Sequence, residues 1–373
     1  VPALSRRLKD DDWDTRFKAA DALWQIDKNL RVVGVMVEAS AKEEITTRRR
    51  AWGVLLEMTP PPKEALAAYR AAFKEGESHT RLKAANAVWH LTRKAEDVVP
   101  VFREALESKA IPTRVAVPLI LPTVERMGPE AKALRVPLLD LLHRETDFQV
   151  IRHLPPVLAR LGPESIPALL ELAEKLDKKP INPLQAERSR AACRAIGLMG
   201  KDGLKPLIAF LEHPDMVVRK DAYDALHLLG PDARDALPVL QRALKHKDPA
   251  ERTRAVTALA CLGPDSKEAL TLLLDVARND KEPARRRVAL SALPRLQPAS
   301  ADIRPHLHDA LNDGDPVVRL MAADWLWHLD PKDPRPLKIV ISSLDHPGGI
   351  FYACKLLQHR RDAAAAAVPA VRR

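Results

Sequence analysis

The feature that most constrains this chain is its repetition of its own sequence at intervals of thirty to thirty-eight residues. The repeat is clearest from Leu204 to Asp235, LKPLIAFLEHPDMVVRKDAYDALHLLGPDARD, and in the stretch that follows. There Pro238 stands for Pro206, Asp248 for Asp215, Arg252 for Arg219 and Gly263-Pro264 for Gly230-Pro231. Each copy reads as two amphipathic helices joined by a tight turn. One such hairpin cannot bury its apolar face alone, so a chain of this kind folds by stacking its copies.

Taking the arginine of the second helix as anchor, small or apolar residues recur three, six, seven and ten places later. The anchors are Arg16, Arg48, Arg81, Arg219, Arg252, Arg286 and Arg319, and the apolar pattern persists without arginine at Val117, Ile151, Ser189 and Ile350. This spacing is helical and leaves no room for strands. The expected fold is all-α, a right-handed α-solenoid of about eleven helical hairpins with no β-sheet. Their expected bounds are 1–28, 29–62, 63–95, 96–130, 131–164, 165–203, 204–235, 236–268, 269–301, 302–334 and 335–362, with 363–373 opening a twelfth. A solenoid grows by repeats, so all 373 residues are expected to form one domain without an internal boundary. Val1 falls inside a helix and neither end carries a polar cap, which reads as a piece of a longer protein.

The punctuation agrees. Pro2, Pro100, Pro137, Pro167, Pro206, Pro238, Pro305 and Pro336 are expected in first helical turns, where no backbone donor is needed. Gly128, Gly162, Gly200, Gly230 and Gly263 fall where a left-handed helix cap is wanted. Two second helices carry internal prolines, Pro118 with Pro122 and Pro155 with Pro156. Each removes a helical hydrogen bond, leaving either a fixed bend or a hinge with freed carbonyls. Residues 177–183, DKKPINP, form the longest inter-helix turn and are expected to protrude.

The proline in the first helix, the Asp four places before Val-Arg and the Ala-x-x-Ala-Leu second helix resemble HEAT repeats. The nearest kind is the bacterial HEAT-like repeat also found in phycobilin lyases. The resemblance covers essentially the whole chain; it is specific for fold and nearly silent on activity.

A net charge of +10 favours acidic partners, nucleic acid included. Much of that charge has a framework reading. Asp12, Glu44, Glu77, Asp215, Asp248, Glu282 and Asp315 each precede an anchor arginine by four, and each pair is expected to tie the turn to the second helix. For Arg285 and Arg287, which flank Arg286, solvation is the simplest role. Cys193, Cys261 and Cys354 lie in different repeats, whose helices pack about 8–10 Å apart, too far for a disulfide between Cys193 and Cys261. Free thiols fit a reducing compartment such as the cytoplasm, or a periplasmic protein that needs no bridges.

Positions five, eight and nine after the anchor should face the concave groove. In the first repeat these are Asp21, Trp24 and Gln25, in the third Asn86, Trp89 and His90, and in the tenth Asp324, Trp327 and His328, while Trp325 takes a core position. Arg49 and Arg50 lie beside Trp52, Lys83 is equivalent to Arg50, and Arg194 joins them in repeat six. Aromatics interleaved with cations suit partner anchoring or stacking on bases. Trp24, Trp52 and Trp89 stacked on one another inside the core is the competing reading. The candidate partner-binding residues are therefore Asp21, Trp24, Arg49, Arg50, Lys83, Asn86, Trp89, His90, Arg194, Trp327 and His328.

No His-x-x-x-His, Cys-x-x-Cys, His-Glu pair or nucleophile elbow is present, and Gly197, Gly200 and Gly203 follow a helix rather than a strand. No metal, cofactor or catalytic residue is expected, and no apolar run reaches membrane-spanning length. The leading expectation is a non-catalytic scaffold that binds an acidic protein or peptide on its concave face. The alternative is a nucleic-acid-binding solenoid. HEAT-like alkylpurine DNA glycosylases resemble this chain in fold, and Asp21 or Asp324 beside Trp24 or Trp327 would imitate their acidic–aromatic groove. Bilin lyase activity rests on repeat similarity alone.

Overall fold

The computed structural model describes residues 1–108, 112–174, 182–264, 266–296, 300–330 and 332–359. These residues form helices and turns, with no strand among them. The chain divides into two compact units, Val1–Ala195 and Ile196–Arg373.

The first unit pairs α1 (Pro2–Arg7) with α2 (Trp13–Asp27), α3 (Val33–Ala39) with α4 (Ile45–Glu57), and α5 (Leu66–Glu75) with α6 (Ser78–Thr92). It continues with α7 (Ala95–Glu107) and α8 (Thr113–Met127), α9 (Arg135–Arg144) and α10 (Phe148–Arg160), and α11 (Ile166–Glu174) and α12 (Pro183–Leu198), whose last residues belong to the second unit. The second unit pairs α13 (Lys201–Leu211) with α14 (Met216–Leu229), α15 (Leu237–Ala243) with α16 (Pro249–Leu259), and α17 (Lys267–Asn279) with α18 (Pro283–Leu296). It ends with α19 (Ser300–Ala310) and α20 (Pro316–Leu329), then α21 (Arg335–Leu344) and α22 (Ile350–His359). Within each unit second helices pack on second helices, as α6 does on α8, α8 on α10, and α16 and α20 on α18. The buried residues are the anchored ones: Ala19 and Leu23, Ala51 and Leu55, Ala84 and Val88, Ala222 and Leu226, Ala255 and Leu259.

All five expected cap glycines have positive φ, from 55° at Gly230 to 104° at Gly162. Most of the first-turn prolines also sit as expected, but Pro100, Pro206 and Pro305 lie one turn inside their helices. The difference follows from what precedes them. After Gly128, Gly162 and Gly230 a proline starts a short 3-10 turn, and the α-helix begins only beyond it. Gly200 is followed by Lys201 instead, so α13 starts at once and carries Pro206 into its interior. Helices α8 and α10 run unbroken through their internal prolines. The turn at 177–183 lies outside the described residues except for Asn182 and Pro183, and so do the alanine run at 363–367 and the whole twelfth repeat.

The arginine framework exists, but it is wired differently from the sequence expectation. Asp12, Asp215, Asp248 and Asp315 do not bind their arginines; each caps its second helix, accepting an N–H of the first turn. The anchor guanidinium turns back to the carbonyls that end the first helix. Arg219 donates to His213 and Pro214, Arg252 to His246 and Lys247, and Arg319 to Asp313 and Gly314. Its other edge reaches an acid of the following repeat: Arg16 to Glu38 (3.1 Å), Arg81 to Glu104 (2.8 Å), Arg219 to Glu251 (3.1 Å) and Arg286 to Asp313 (2.6 Å). Arg285 and Arg287 are not left to solvent. They pair with Asp280 and Asp315. No helix among the described residues is long and apolar enough to cross a membrane.

Candidate functional site

The tryptophans expected to line a groove are buried. Trp24 is 5% exposed, and Trp89 and Trp327 are each 4% exposed. The eighth position after the anchor, read as a surface column, points into the seam between successive second helices. The next layer covers it. Trp327 lies in a core cluster with Leu320, Val340, Ala353 and Leu357. Trp52 packs on Ala72 and Ala84. Trp325, expected in the core, is only half-buried and donates to the Leu290 carbonyl at 3.2 Å. Of the competing expectation, that Trp24, Trp52 and Trp89 stack on one another inside the core, the burial holds and the stacking does not. Among the described residues, no ring of Trp24, Trp52 or Trp89 contacts another.

The polar candidates divide by whether they are already paired. Arg50 donates to Asp21 at 2.6 Å, and Arg49 meets Glu77 at 3.0 Å. Both cations, with Asp21, are thus committed within the fold. Lys83 and Arg194 have no ion pair among the described residues. Asn86 spans to α8, donating to the Leu119 carbonyl at 2.7 Å and accepting from the Thr123 hydroxyl at 2.6 Å. Proline at 118 and 122 strips two amide donors from that helix, and Asn86 serves the backbone beside them.

Around Asn86 the first unit opens a cavity of about 300 Å³. Its floor is apolar, from Leu55, Leu56, Met58 and Tyr69; its far wall is Pro118, Leu119 and Pro122. Lys83, His90, Trp89 and Arg126 complete the lining. Four of the sequence candidates (Lys83, Asn86, Trp89 and His90) therefore come together, and the cavity adds Arg126, which has no hydrogen bond or ion pair among the described residues. Arg93, just after α6, lies over the Trp89 ring at 4.5 Å and is likewise without an ion pair there. The site combines apolar side chains with two lining cations, Lys83 and Arg126, and a third, Arg93, over the Trp89 ring.

In the second unit His328 contacts Asp324 (3.4 Å) beside an open cleft of about 530 Å³ lined by Met321, Tyr352 and Lys355. Sequence reasoning missed a further pairing there: His227 Nδ1 contacts Cys261 Sγ, with Arg295 Nη1 at 3.9 Å from the sulfur. The partners lie 34 residues apart, at the eighth and ninth positions of adjoining repeats. Burial pushes the Cys261 thiol up and the His227 imidazole down, against and with the nearby Arg295 charge respectively. Both shifts favour the neutral forms, the reverse of what a thiolate–imidazolium pair requires. No cluster of three metal-ligating side chains occurs among the described residues.

Comparison with known proteins bears on the fold. The family model of HEAT repeats matches residues 185–260 and 228–294. The crystal structure of a Kap121p mutant superposes over 95% of this chain and 45% of its own, with 13% identity and a TM-score of 0.50. Kap121p bound to Pho4p covers 99% of this chain and 46% of its own, at 14% identity and a TM-score of 0.49. The CpcE–CpcF complex of phycocyanin lyase from Nostoc sp. PCC7120 covers 82% of this chain and 91% of its own, at 16% identity and a TM-score of 0.29. This chain spans just under half the length of the Kap121p chains it matches. Curated protein sequences give no match. The matched repeats, the second helices packed on one another and the arginine links between layers agree: residues 185–294 are HEAT repeats, and the described residues on either side of them build the same kind of helical hairpin.

Proposed function

We propose that this chain is a non-catalytic protein-interaction scaffold, and that its first unit holds an acidic segment of a partner protein. The binding surface is the second-helix face, which repeats of this kind turn to their concave side. The observation that carries the reading is the cavity beside α6 and α8, where Lys83 and Arg126 stand without counter-charges beside apolar side chains and unpaired Arg93 lies over the ring of Trp89, which also lines it. Unpaired cations beside buried apolar surface suit a peptide that carries acidic and apolar side chains together. Arg49 and Arg50, placed in the same surface by the sequence, contribute less because Glu77 and Asp21 already hold them.

The test is fluorescence anisotropy of a labelled Glu/Leu-rich peptide against a matched Gln/Leu-rich peptide, with wild-type protein and the double variant Lys83→Glu, Arg126→Glu. The acidic peptide should bind the wild type at least about tenfold more tightly than the neutral one, and the double variant should lose that preference. Equal binding of both peptides would overturn the reading.

Nucleic acid is the second reading, and one observation favours it. Arg126 and Arg160 hold equivalent places in the packed helices α8 and α10, and neither has an ion pair among the described residues. Oligonucleotide binding that falls steeply with salt, as counterion release requires, would promote this reading over the peptide. The glycosylase resemblance gains no support, because Trp24 and Trp327 are covered and offer no face for a base.

A further inference from the structure

The repeats provide an internal control for the cavity. In the first two repeats Trp24 sits eight places after its anchor, Lys28 twelve places after it, and Glu57 nine places after the next anchor. The three form a closed unit. Trp24 Nε1 donates to Glu57 Oε2 at 2.9 Å, Lys28 Nζ donates to the same oxygen at 2.8 Å, and the Lys28 ammonium lies 4.7 Å over the indole ring. Lys28 takes its place by ending α2 in the left-handed conformation, φ 52°, with its N–H on the Trp24 carbonyl.

The third and fourth repeats rebuild this arrangement without its anion. Trp89 and Arg93 occupy the places of Trp24 and Lys28. Arg93 ends α6 left-handed, φ 58°, with its N–H on the Trp89 carbonyl and its guanidinium over the ring. The place of Glu57 is taken by Arg126. Trp89 Nε1 is consequently a buried donor with no partner, in a residue only 4% exposed. On the neighbouring rung the same substitution of character occurs. Asp21–Arg50 in the first pair becomes Asn86–Leu119 carbonyl in the second, so no carboxylate remains there either. At these four places two negative charges facing two positive ones have become two unpaired positive charges, Arg93 and Arg126, and Lys83 adds a third where its counterpart Lys18 is held by Asp14.

We infer that repeats three and four form a carboxylate-binding subsite, in which a partner's Glu or Asp side chain takes the position that Glu57 holds internally in repeats one and two. Trp89 Nε1 and Arg93 donate to the carboxylate as Trp24 and Lys28 do to Glu57. Arg126 and Lys83 supply the charge that makes an external anion favourable, and the apolar floor receives the neighbouring side chain of the partner. The inference rests on the reading that the first unit binds an acidic protein segment, and it adds which atoms read the acid.

The experiment follows the indole N–H resonances of ¹⁵N-labelled protein, with the Trp89 signal assigned by its loss in Trp89→Phe. N-acetylglutamate N-methylamide should shift the Trp89 signal downfield, and the isosteric N-acetylglutamine N-methylamide should leave it in place. Arg126→Glu restores the internal anion. In that variant the Trp89 signal should move toward the Trp24 position without ligand, the small carboxylate should no longer act, and the melting temperature should rise. Arg126→Gln should weaken the acidic peptide by about tenfold, as loss of one charged donor does. A Trp89 signal unmoved both by the small carboxylate and by Arg126→Glu would overturn the subsite. If the acidic peptide binds while Trp89 stays still, the subsite is wrong and the scaffold reading stands. If Trp89 responds to the small carboxylate but no acidic peptide binds, the subsite stands and the acidic-partner reading fails.

Discussion

At the scale of single residues, buried charge is concentrated where one acid serves two arginines. Glu251 has a side chain only 2% exposed and accepts from Arg219 at 3.1 Å and Arg254 at 3.0 Å. Both guanidiniums lose their counter-charge if the carboxylate goes, Arg219 keeping only the His213 and Pro214 carbonyls, and removing one member of a buried ion network leaves uncompensated charge worth about 3–5 kcal/mol. Glu251→Ala should therefore lower the unfolding free energy by about that amount in a denaturant titration. Glu38→Ala, whose partner Arg16 meets it on the surface, should change it by less than about 1 kcal/mol. If the two variants cost the same, the interlayer links are all surface pairs in effect. The cysteines allow a second test. Cys354 is exposed, Cys261 is partly covered with its thiol pushed up by burial, and Cys193 is fully buried. Alkylation of the native protein followed by peptide mass spectrometry should label them in that order, since both access and thiolate are required. Labelling of Cys261 ahead of Cys354 would show that His227 activates it after all.

At the scale of the helical hairpin, the second helices α2, α14, α16 and α20 are fastened at their start by two residues with separate tasks. Asp215 accepts the Val217 N–H at 2.7 Å and caps α14, while Arg219 closes the preceding turn through the His213 and Pro214 carbonyls. His213 adds a third fastening, its Nδ1 accepting the Asp215 N–H at 3.0 Å, and His246 does the same for Asp248 at 3.1 Å. Asp215→Ala should cost about 1 kcal/mol, the usual worth of such a cap. Because the two residues act on different groups, the cost in an Arg219→Ala background should be nearly the same. A double-mutant cycle with large coupling would restore the direct Asp–Arg pair that the sequence suggested. The helices, their order and the glycine caps were legible in the sequence because a 3.6-residue period and a left-handed cap are local properties. The arginine wiring was not, because Arg16 and Glu38 lie 22 residues apart and Arg219 and Glu251 32 apart. The burial of Trp24, Trp89 and Trp327 was hidden for the same reason: whether the eighth position is covered depends on the layer above it. Lys83, Asn86, Trp89 and His90 were found in the sequence, whereas Arg126 was not among the candidates, because it comes from the next repeat.

At the scale of the whole molecule, turns and helix starts are held, and successive layers joined, by carboxylates that must be ionised to work, so stability should respond to acid in a defined direction. Thr15 holds the Asp12 carboxyl below its ordinary value of 3.8, and Arg335 does so for Asp333. Arg81 holds Glu104 below 4.5, and Lys28 with Trp24 does the same for Glu57. At Asp280 and Asp315 burial pushes the carboxyl up, but the hydrogen bonds and charges of Arg285 and Arg287, with nearby amides, outweigh it and the net shift is downward. A folded value below the unfolded one means that the native state gives up its proton more readily. The resulting stabilisation is complete above the unfolded values of 3.8 and 4.5 and is lost as pH falls through the lower folded values. Protonation also raises a net charge that is already +10, which adds self-repulsion in the same direction. The melting temperature followed by circular dichroism should thus stay level from pH 7 to about 5 and fall steeply below about 4.5. In a stack whose layers interact mainly with their neighbours, loss of these links should broaden the transition as well as lower it, because repeats can then open separately. A melting temperature that falls already between pH 7 and 6, with the transition still sharp, would place the controlling groups among His79, His227 and His308, whose imidazoles burial holds below 6.5, instead of among the carboxylates.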